Sequence, residues 1–408
     1  MCSALTPGVV LRSNDICALG ATRSLGSAGH RVTVAGFDYP GGPAWVSQES
    51  KYCTDFVQIA NPAAYPDLAA EQLRQVLARL ADETGVLPAL VATSDTSLEL
   101  FSLLEQGTFF AVNMRSLRFE GSSIDLNDKV IQSGIVSDSG LPVPGFADKA
   151  TLIPRLRDGS LSFPLVVKPR KKGLEQSFYA RNSGAKCLKF DAERDLFSSI
   201  EYIKFGDDLI FQDYICGDFN DELCVYLSRR DFDGSVSVMC GRKHLVTPHP
   251  FGTASILESF CEPRFERLAI QFAEYLRWDG LLMLEFKFDT LSGEWKYIEA
   301  NFRPWLFVDF PRRMGENFLG HWLGSDGKSE DSKRSTGSPS RHLFASLTYL
   351  ERSFREAGKK FDQSSVSAVL SSYELPVSLA EWDRSDLELS ERLLKGFGVE
   401  DLQEMLFD

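Results

Sequence analysis

Leu281-Leu-Met-Leu-Glu285-Phe-Lys-Phe-Asp289 and, just beyond it, Lys296-Tyr-Ile-Glu299-Ala-Asn301-Phe-Arg303-Pro304 are the stretches on which the fold of this chain turns. Two apolar runs separated by Thr290-Leu-Ser-Gly-Glu294 predict an antiparallel hairpin, and each run carries an acid among strand-forming neighbours. Side chains alternate along a strand, so Glu299 and Asn301 share a face, and Glu285 can reach that face from the partner strand. Two carboxylates and an amide oxygen make a hard-oxygen set suited to Mg²⁺ bridging nucleotide phosphates, with Mn²⁺ as a substitute. The alternative is an amphipathic hairpin whose acids simply face water.

Upstream of the hairpin, Phe163-Pro-Leu-Val-Val-Lys168-Pro169 predicts a short buried strand ending in a lysine, followed by the cationic loop Arg170-Lys-Lys-Gly173. A lysine closing an apolar strand either extends to solvent or meets a phosphate or carboxylate. Asp208-Leu-Ile-Phe-Gln212 and Glu222-Leu-Cys-Val-Tyr-Leu227 predict further strands, and Pro263 to Arg277 a helix. Before the joint Ser139-Gly-Leu-Pro-Val-Pro144 the rhythm is different. Gly8-Val-Val-Leu11, a helix and Arg31-Val-Thr-Val-Ala35 form a βαβ unit, extended by a helix from Pro66 to Glu83 and the run Ala89-Leu-Val-Ala92. No Gly-x-Gly-x-x-Gly turn is present, so the unit is not read as a dinucleotide site. Its Arg12-Ser-Asn-Asp15 loop lies where open α/β sheets place ligands, or is an ordinary capping turn.

The chain has 408 residues, 43% apolar content and 30 Phe, enough for two or three packed units. Its 44 basic and 57 acidic residues give a net charge of −13, which argues against nucleic acid as the main partner. No apolar run spans a bilayer and the first residues lack a signal-peptide pattern, so a cytoplasmic location without membrane attachment is expected. Eight scattered cysteines without Cys-x-x-Cys spacing predict neither zinc nor a disulfide framework. The polar run from Gly324 to Arg341 predicts a flexible linker before a C-terminal helical segment.

In order along the chain, Asn127-Asp-Lys129, Val166-Val-Lys168-Pro169, Gln212 to Asp218, Gly241-Arg242-Lys243, Glu285-Phe-Lys-x-Asp289 and Glu299-x-Asn301-x-Arg303-Pro304 resemble the ATP-grasp superfamily, and within it the ATP-dependent carboxylate-amine ligases. The resemblance runs from about residue 9 to 312 and leaves the last quarter poorly covered. It implies a mixed α/β and α+β chain: a Rossmann-like pre-ATP-grasp domain (1–125), then a two-lobed ATP-grasp fold with a small lobe (126–205) and a large lobe (206–323), the linker (324–341) and the C-terminal segment (342–408). By the same resemblance Lys129 and Lys168 contact the phosphates of ATP, Gln212, Asp213, Tyr214 and Ile215 hold the adenine, and Asp218 holds the ribose, with Asp221 as the substitute. Residues 170 to 186 correspond to the flap over the phosphates. Glu285, Glu299 and Asn301 are the expected metal ligands, and Arg303, Arg242 and Lys168 the expected catalytic residues.

The chemistry this implies is activation of a carboxylate by phosphorylation, followed by amine attack on the acyl phosphate and release of ADP and phosphate. The expected partners are a small carboxylate and an amine, in the amino acid or peptide class, and a homodimer contact is one use of the C-terminal helices, a lid over the site being the other. A kinase, a carboxylating ligase and a non-catalytic nucleotide-binding regulator remain alternatives. Trp305, Phe307 and Phe310 line a pocket for an apolar substrate or belong to the core.

Overall fold

In the computed structural model the described residues are 5–13, 15–37, 46–104, 118, 119, 122, 123, 126–171, 174–183, 185–218, 221–230, 232–249, 252–325 and 341–405. Asn14, residues 172 and 173 of the cationic loop, and 326–340 of the expected linker lie outside them.

Strands β1 (Gly8–Arg12), β2 (Val32–Phe37), β3 (Asp55–Ile59) and β4 (Ala89–Ala92) form a parallel sheet in the order β3-β2-β1-β4. The residues of β1, β2 and β4 are buried throughout, as expected of a parallel sheet covered on both faces. One cover is the helix Pro66–Thr84, which starts with proline in its first turn and stops at Gly85 in the left-handed region (φ 67°). A two-residue pair, β5 (Arg118–Phe119) and β6 (Ser122–Ser123), follows.

A second, antiparallel sheet has the order β7-β10-β8-β9, from β7 (Phe146–Ala147), β8 (Leu165–Pro169), β9 (Leu188–Phe190) and β10 (Leu209–Asp213). The small lobe therefore extends past residue 205, because β10 pairs with β7 and β8 rather than with the large sheet. Conversely, the helix Lys129–Asp138 packs behind the large sheet, with Val136 in the same core as Leu284 and Ala300.

The third sheet has seven strands: β11 (Glu222–Arg229), β12 (Val236–Thr247), β13 (Thr253–Phe260), β14 (Gly280–Asp289), β15 (Glu294–Asn301), β16 (His342–Ala345) and β17 (Val377–Leu379), in the order β15-β14-β11-β12-β13-β16-β17. The predicted hairpin is β14–β15. The C-terminal segment is more than helical: it adds β16 and β17 to this sheet and buries Leu343, Leu347, Val366 and Leu379 against Ile256.

The C-terminal segment is also tied to the first helix, Asp15–Ser27. Fully buried Arg23 donates from Nε to Asp386 at 3.0 Å, from Nη1 to the Ala380 carbonyl and from Nη2 to Ser390 Oγ. Asp309 accepts from Ser24 Oγ at 2.8 Å and from Arg312 and Arg313, and both arginines also pair with Asp383. Buried Arg23 and the partly buried Arg312 and Arg313 balance three buried aspartates, and burial of any one of these charges without its partners would be costly.

Candidate active site

A cleft of about 370 Å³ opens between the three sheets, lined by Lys129, Lys168, Gln212, Asp213, Tyr214, Ile215, Glu285, Glu299, Asn301 and Arg303. Strand pairing explains how residues so distant in sequence meet. Glu285 lies opposite both Cys224 and Glu299, and Met283 lies opposite both Tyr226 and Asn301. Glu222 pairs with Lys287 one step further along the same face. The cleft floor is thus a series of rungs about 6.8 Å apart, the spacing of alternate residues on a strand. Glu222 and Lys287 form the first, Cys224, Glu285 and Glu299 the second, and Tyr226, Met283 and Asn301 the third.

Ideal alternation would place Tyr297 on the face of Glu299. A bulge at Ile298 intervenes, pairing Phe286 with Tyr297 directly after Glu285 with Glu299, so Tyr297 joins the core behind the sheet. The Ile298 carbonyl accepts from Lys168 Nζ at 3.3 Å, which brings the lysine of β8 to the β14–β15 hairpin. β15 is an edge strand, and its exposed backbone is occupied by a side chain. The Gln132 amide accepts from Ala300 N (3.0 Å) through Oε1 and donates to Ala300 O (2.9 Å) through Nε2, while Tyr297 donates its hydroxyl to Oε1. Ala300 lies between Glu299 and Asn301, so Gln132 holds both in register.

Lys129 is buried at the start of its helix, whose first turn is capped by Asp128, and donates to Glu175 at 3.0 Å. Asp128 is further paired with Arg170 at 2.6 Å. Glu175 begins the helix Glu175–Arg181, so the segment expected as a flap contains about two turns of helix over the cleft and supplies the partner of Lys129. In the connector, the Asp213 carboxylate accepts from the N–H groups of Gly145 and Ser162, and burial raises its pKa. Its own N–H and that of Tyr214 donate to Gly145 O and Pro164 O. Lys287 and Lys189 sit over the Tyr214 ring, at 5.8 and 4.7 Å from its centroid.

Two expected residues lie elsewhere. Arg242 pairs with Leu223, whose side chain is in the core behind the sheet, and its exposed guanidinium stacks on Phe260 at 5.2 Å. Its neighbour Lys243 takes the cleft position instead, because adjacent strand residues face opposite ways. Lys243 Nζ donates to Glu285 at 2.5 Å and to Glu222 at 3.1 Å. Burial would pull its pKa down, but the two carboxylates outweigh burial and hold it well above its usual value. Asp218 is exposed and outside the cleft lining, its N–H bonded to the Asp221 carboxylate. In the first loop Arg12 pairs with Asp15 at 2.7 Å, and the N-terminal unit contributes Cys17, Thr93 and Ser94 to the cleft lining.

No protein-family model matches the chain, and no curated protein matches it. Solved structures do. N5-carboxyaminoimidazole synthetase from Staphylococcus aureus complexed with ADP is similar at a TM-score of 0.58 and 13% identity, over 84% of this chain and 82% of that one. L-amino acid ligase from Bacillus licheniformis gives a TM-score of 0.54 and 15% identity, over 83% and 79%. The biotin carboxylase domain dimer of Hydrogenobacter thermophilus 2-oxoglutarate carboxylase, with MgADP and bicarbonate, gives 0.56 and 15%, over 82% and 72%. The chain has the ATP-grasp fold.

Within that fold, the second sheet is the small lobe, the seven-stranded sheet the large lobe, and the cleft lies between them. Among the described residues no group of three His, Cys, Asp or Glu side chains could hold a metal. Glu285, Glu299 and the Asn301 amide are the oxygen-bearing side chains of the cleft that could hold Mg²⁺. Three thiols line the ATP-grasp cleft, but burial pushes Cys17 and Cys224 up to about 12 and Cys187 to about 11. They are protonated at neutral pH and unsuited to attack a carbonyl or phosphoryl group. His244 is held by Glu258 and packs against the Tyr373 ring, away from the cleft lining. No described helix is long and apolar enough to cross a membrane.

Proposed function

We propose that this chain is an ATP-dependent carboxylate-amine ligase that works through an acyl phosphate. The observation that carries the reading is the convergence of Glu285, Glu299 and Asn301 with Lys129, Lys168 and Arg303 on one cleft between the two lobes. A carboxylate is a poor electrophile because oxide would have to leave. Transfer of the γ-phosphoryl group of ATP to a carboxylate oxygen, with departure of ADP, converts that oxygen into phosphate. An amine then attacks the acyl carbon, the C–O bond to phosphate breaks, and the amine loses a proton. Mg²⁺ held by Glu285, Glu299 and Asn301 would neutralise charge on the β- and γ-phosphoryl oxygens.

The chain's own residues account for the rest. Lys168, anchored at Ile298 O, and Lys129 present ammonium groups to the phosphates, and Lys129 exchanges Glu175 for that anion. Arg303 follows Asn301 by two residues and stabilises the oxyanion that forms when the amine attacks. The Gln212 to Ile215 connector and Tyr214, with Lys287 above its ring, lie at the nucleotide end. The experiment is incubation of the purified chain with ATP, Mg²⁺ and pooled amino acids, with and without hydroxylamine. ADP and hydroxamate are expected. AMP with pyrophosphate would overturn the acyl-phosphate route, and a stable phosphate ester would favour a kinase.

A further inference from the structure

The rungs of the large sheet give the cleft a direction. At one end, Lys287 lies over Tyr214 of the connector and beside Glu222 and Lys243, so this end is charged and adjoins the proposed nucleotide site. Glu285 and Glu299 occupy the middle rung. The far rung, Tyr226, Met283 and Asn301, carries no charged side chain, and its polar groups are the Tyr226 hydroxyl and the Asn301 amide. Over it the Trp305 ring stacks on Tyr226, with centroids 4.5 Å apart and planes 29° apart. The Trp305 carbonyl accepts from Cys17 Sγ at 3.2 Å, which closes this end with the N-terminal unit.

The charge count at this end is informative. The cleft residues supplied by the N-terminal unit are Cys17, Thr93 and Ser94, and those supplied after Asn301 are Arg303, Trp305, Leu306, Phe307 and Tyr349. Arg303 alone among them is charged. Polar capacity nearby is largely internal: Ser94 N–H donates to Ser97 Oγ, and Thr93 Oγ1 donates to the Leu11 carbonyl. Gly241, beside Cys224 on β12, leaves no space for a larger residue, since a Cβ there would meet Tyr226 at 2.9 Å and Leu257 at 3.0 Å. The Tyr226 ring therefore lies closely against the β12 backbone at Gly241. Phe310, by contrast, stacks on Phe344 in the core and takes no part.

Resting on the ligase reading, we infer that the acid substrate carries a large apolar or aromatic group, seated against Tyr226, Met283, Trp305 and Phe307, with its carboxylate at Arg303 facing the metal ligands. Bicarbonate has nothing to fill that wall, and a phosphorylated acid would bring a second anion to an end where Arg303 is the one cation among the described lining residues named above. Apolar surfaces of this kind discriminate by roughly 10- to 200-fold per methylene-sized difference.

The test measures ADP release with Mg²⁺-ATP and glycine as the fixed amine, offering phenylalanine, leucine, alanine, glutamate, bicarbonate or 3-phosphoglycerate as the acid. Phenylalanine or leucine should exceed alanine by at least tenfold in kcat/KM, with glutamate, bicarbonate and 3-phosphoglycerate lower still. Met283→Gln, close in size to methionine, should raise the KM for the apolar acid about tenfold and leave the KM for ATP within twofold. Trp305→Phe should shift the ranking of phenylalanine against leucine. ADP release with bicarbonate or 3-phosphoglycerate but not with the apolar acids would overturn the inference and leave ATP-driven carboxylate activation standing. So would a requirement for the apolar group on the amine. ADP release with none of the acids, while Mg²⁺-ATP still binds by calorimetry, would overturn the ligase reading and this inference together.

Discussion

Replacing Lys243 with methionine removes a buried cation that serves two acids. The ammonium sits 2.5 Å from Glu285 and 3.1 Å from Glu222, and those side chains are only 17% and 10% exposed. Breaking a buried pair by deleting one partner destabilises by about 3–5 kcal/mol. Glu285 opens on the cleft, so the lower figure of about 3 kcal/mol applies. At about 2.1 cal/mol/K of unfolding entropy per residue, a loss of that size in a chain of 408 residues lowers Tm by roughly 3–4 °C. Removing one acid as well relieves the repulsion, so Glu222→Gln in the Lys243→Met background should recover about half of the loss, whereas Glu222→Gln alone should destabilise. Differential scanning calorimetry of the four proteins closes a double-mutant cycle. Additive losses, or no effect of Lys243→Met, would refute the claim that Lys243 bridges the two acids. ADP formation should fall in Lys243→Met and not return in the double variant, because Glu285 loses its orienting partner.

Glu299→Gln conserves size but removes one carboxylate from the metal set; kcat for ADP formation should drop about 100-fold, equivalent to about 3 kcal/mol, with Tm unchanged. An activity within fivefold of the parent would remove Glu299 from the reaction. Arg242→Ala, on the opposite face of β12, should leave kcat and both KM values within twofold, and a large loss would show that Arg242 reaches the site. Gln132→Met forfeits three hydrogen bonds to Ala300 and Tyr297; a stability loss of about 1–3 kcal/mol and a lower kcat are expected by urea unfolding and kinetics. Unchanged kcat would show that β15 holds its own register. His342 is buried beside Arg313, and burial first, then that charge, lowers its pKa from 6.5 to about 4. The unfolded chain binds this proton more readily, so its contribution is present above pH 6.5 and lost as pH falls towards 4. Between pH 7 and pH 5 about 2 kcal/mol should disappear, and His342→Gln should flatten that part of the urea-unfolding profile.

Much of the site was legible because alternation along a strand is a local property. Glu299 and Asn301 share a face by their spacing alone, and the Ser-Gly turn makes β14 and β15 neighbours, so the oxygen set could be read from 21 consecutive residues, 281 to 301. The buried parallel strands and the lysine ending β8 are equally local signals. What lay beyond reach were the choices made by distant partners. Arg242 and Lys243 are adjacent cations on one strand, and only the pairing of β12 with β11 decides which faces the acids. The bulge that sends Tyr297 into the core lies where Gln132, more than 160 residues away in sequence, fills the edge of β15. Membership of β10 in the small lobe and of β16 and β17 in the large sheet is likewise settled by long-range hydrogen bonding, which leaves no periodic trace in a short strand. Trp305 and Phe307 reach the cleft while Phe310 does not, because Asp309 is held by Ser24, Arg312 and Arg313 and fixes where the segment turns inward. The sequence thus determined which chemistry could be assembled, through residue type and spacing; packing among segments hundreds of residues apart decided which face each strand buried and where the cleft ends.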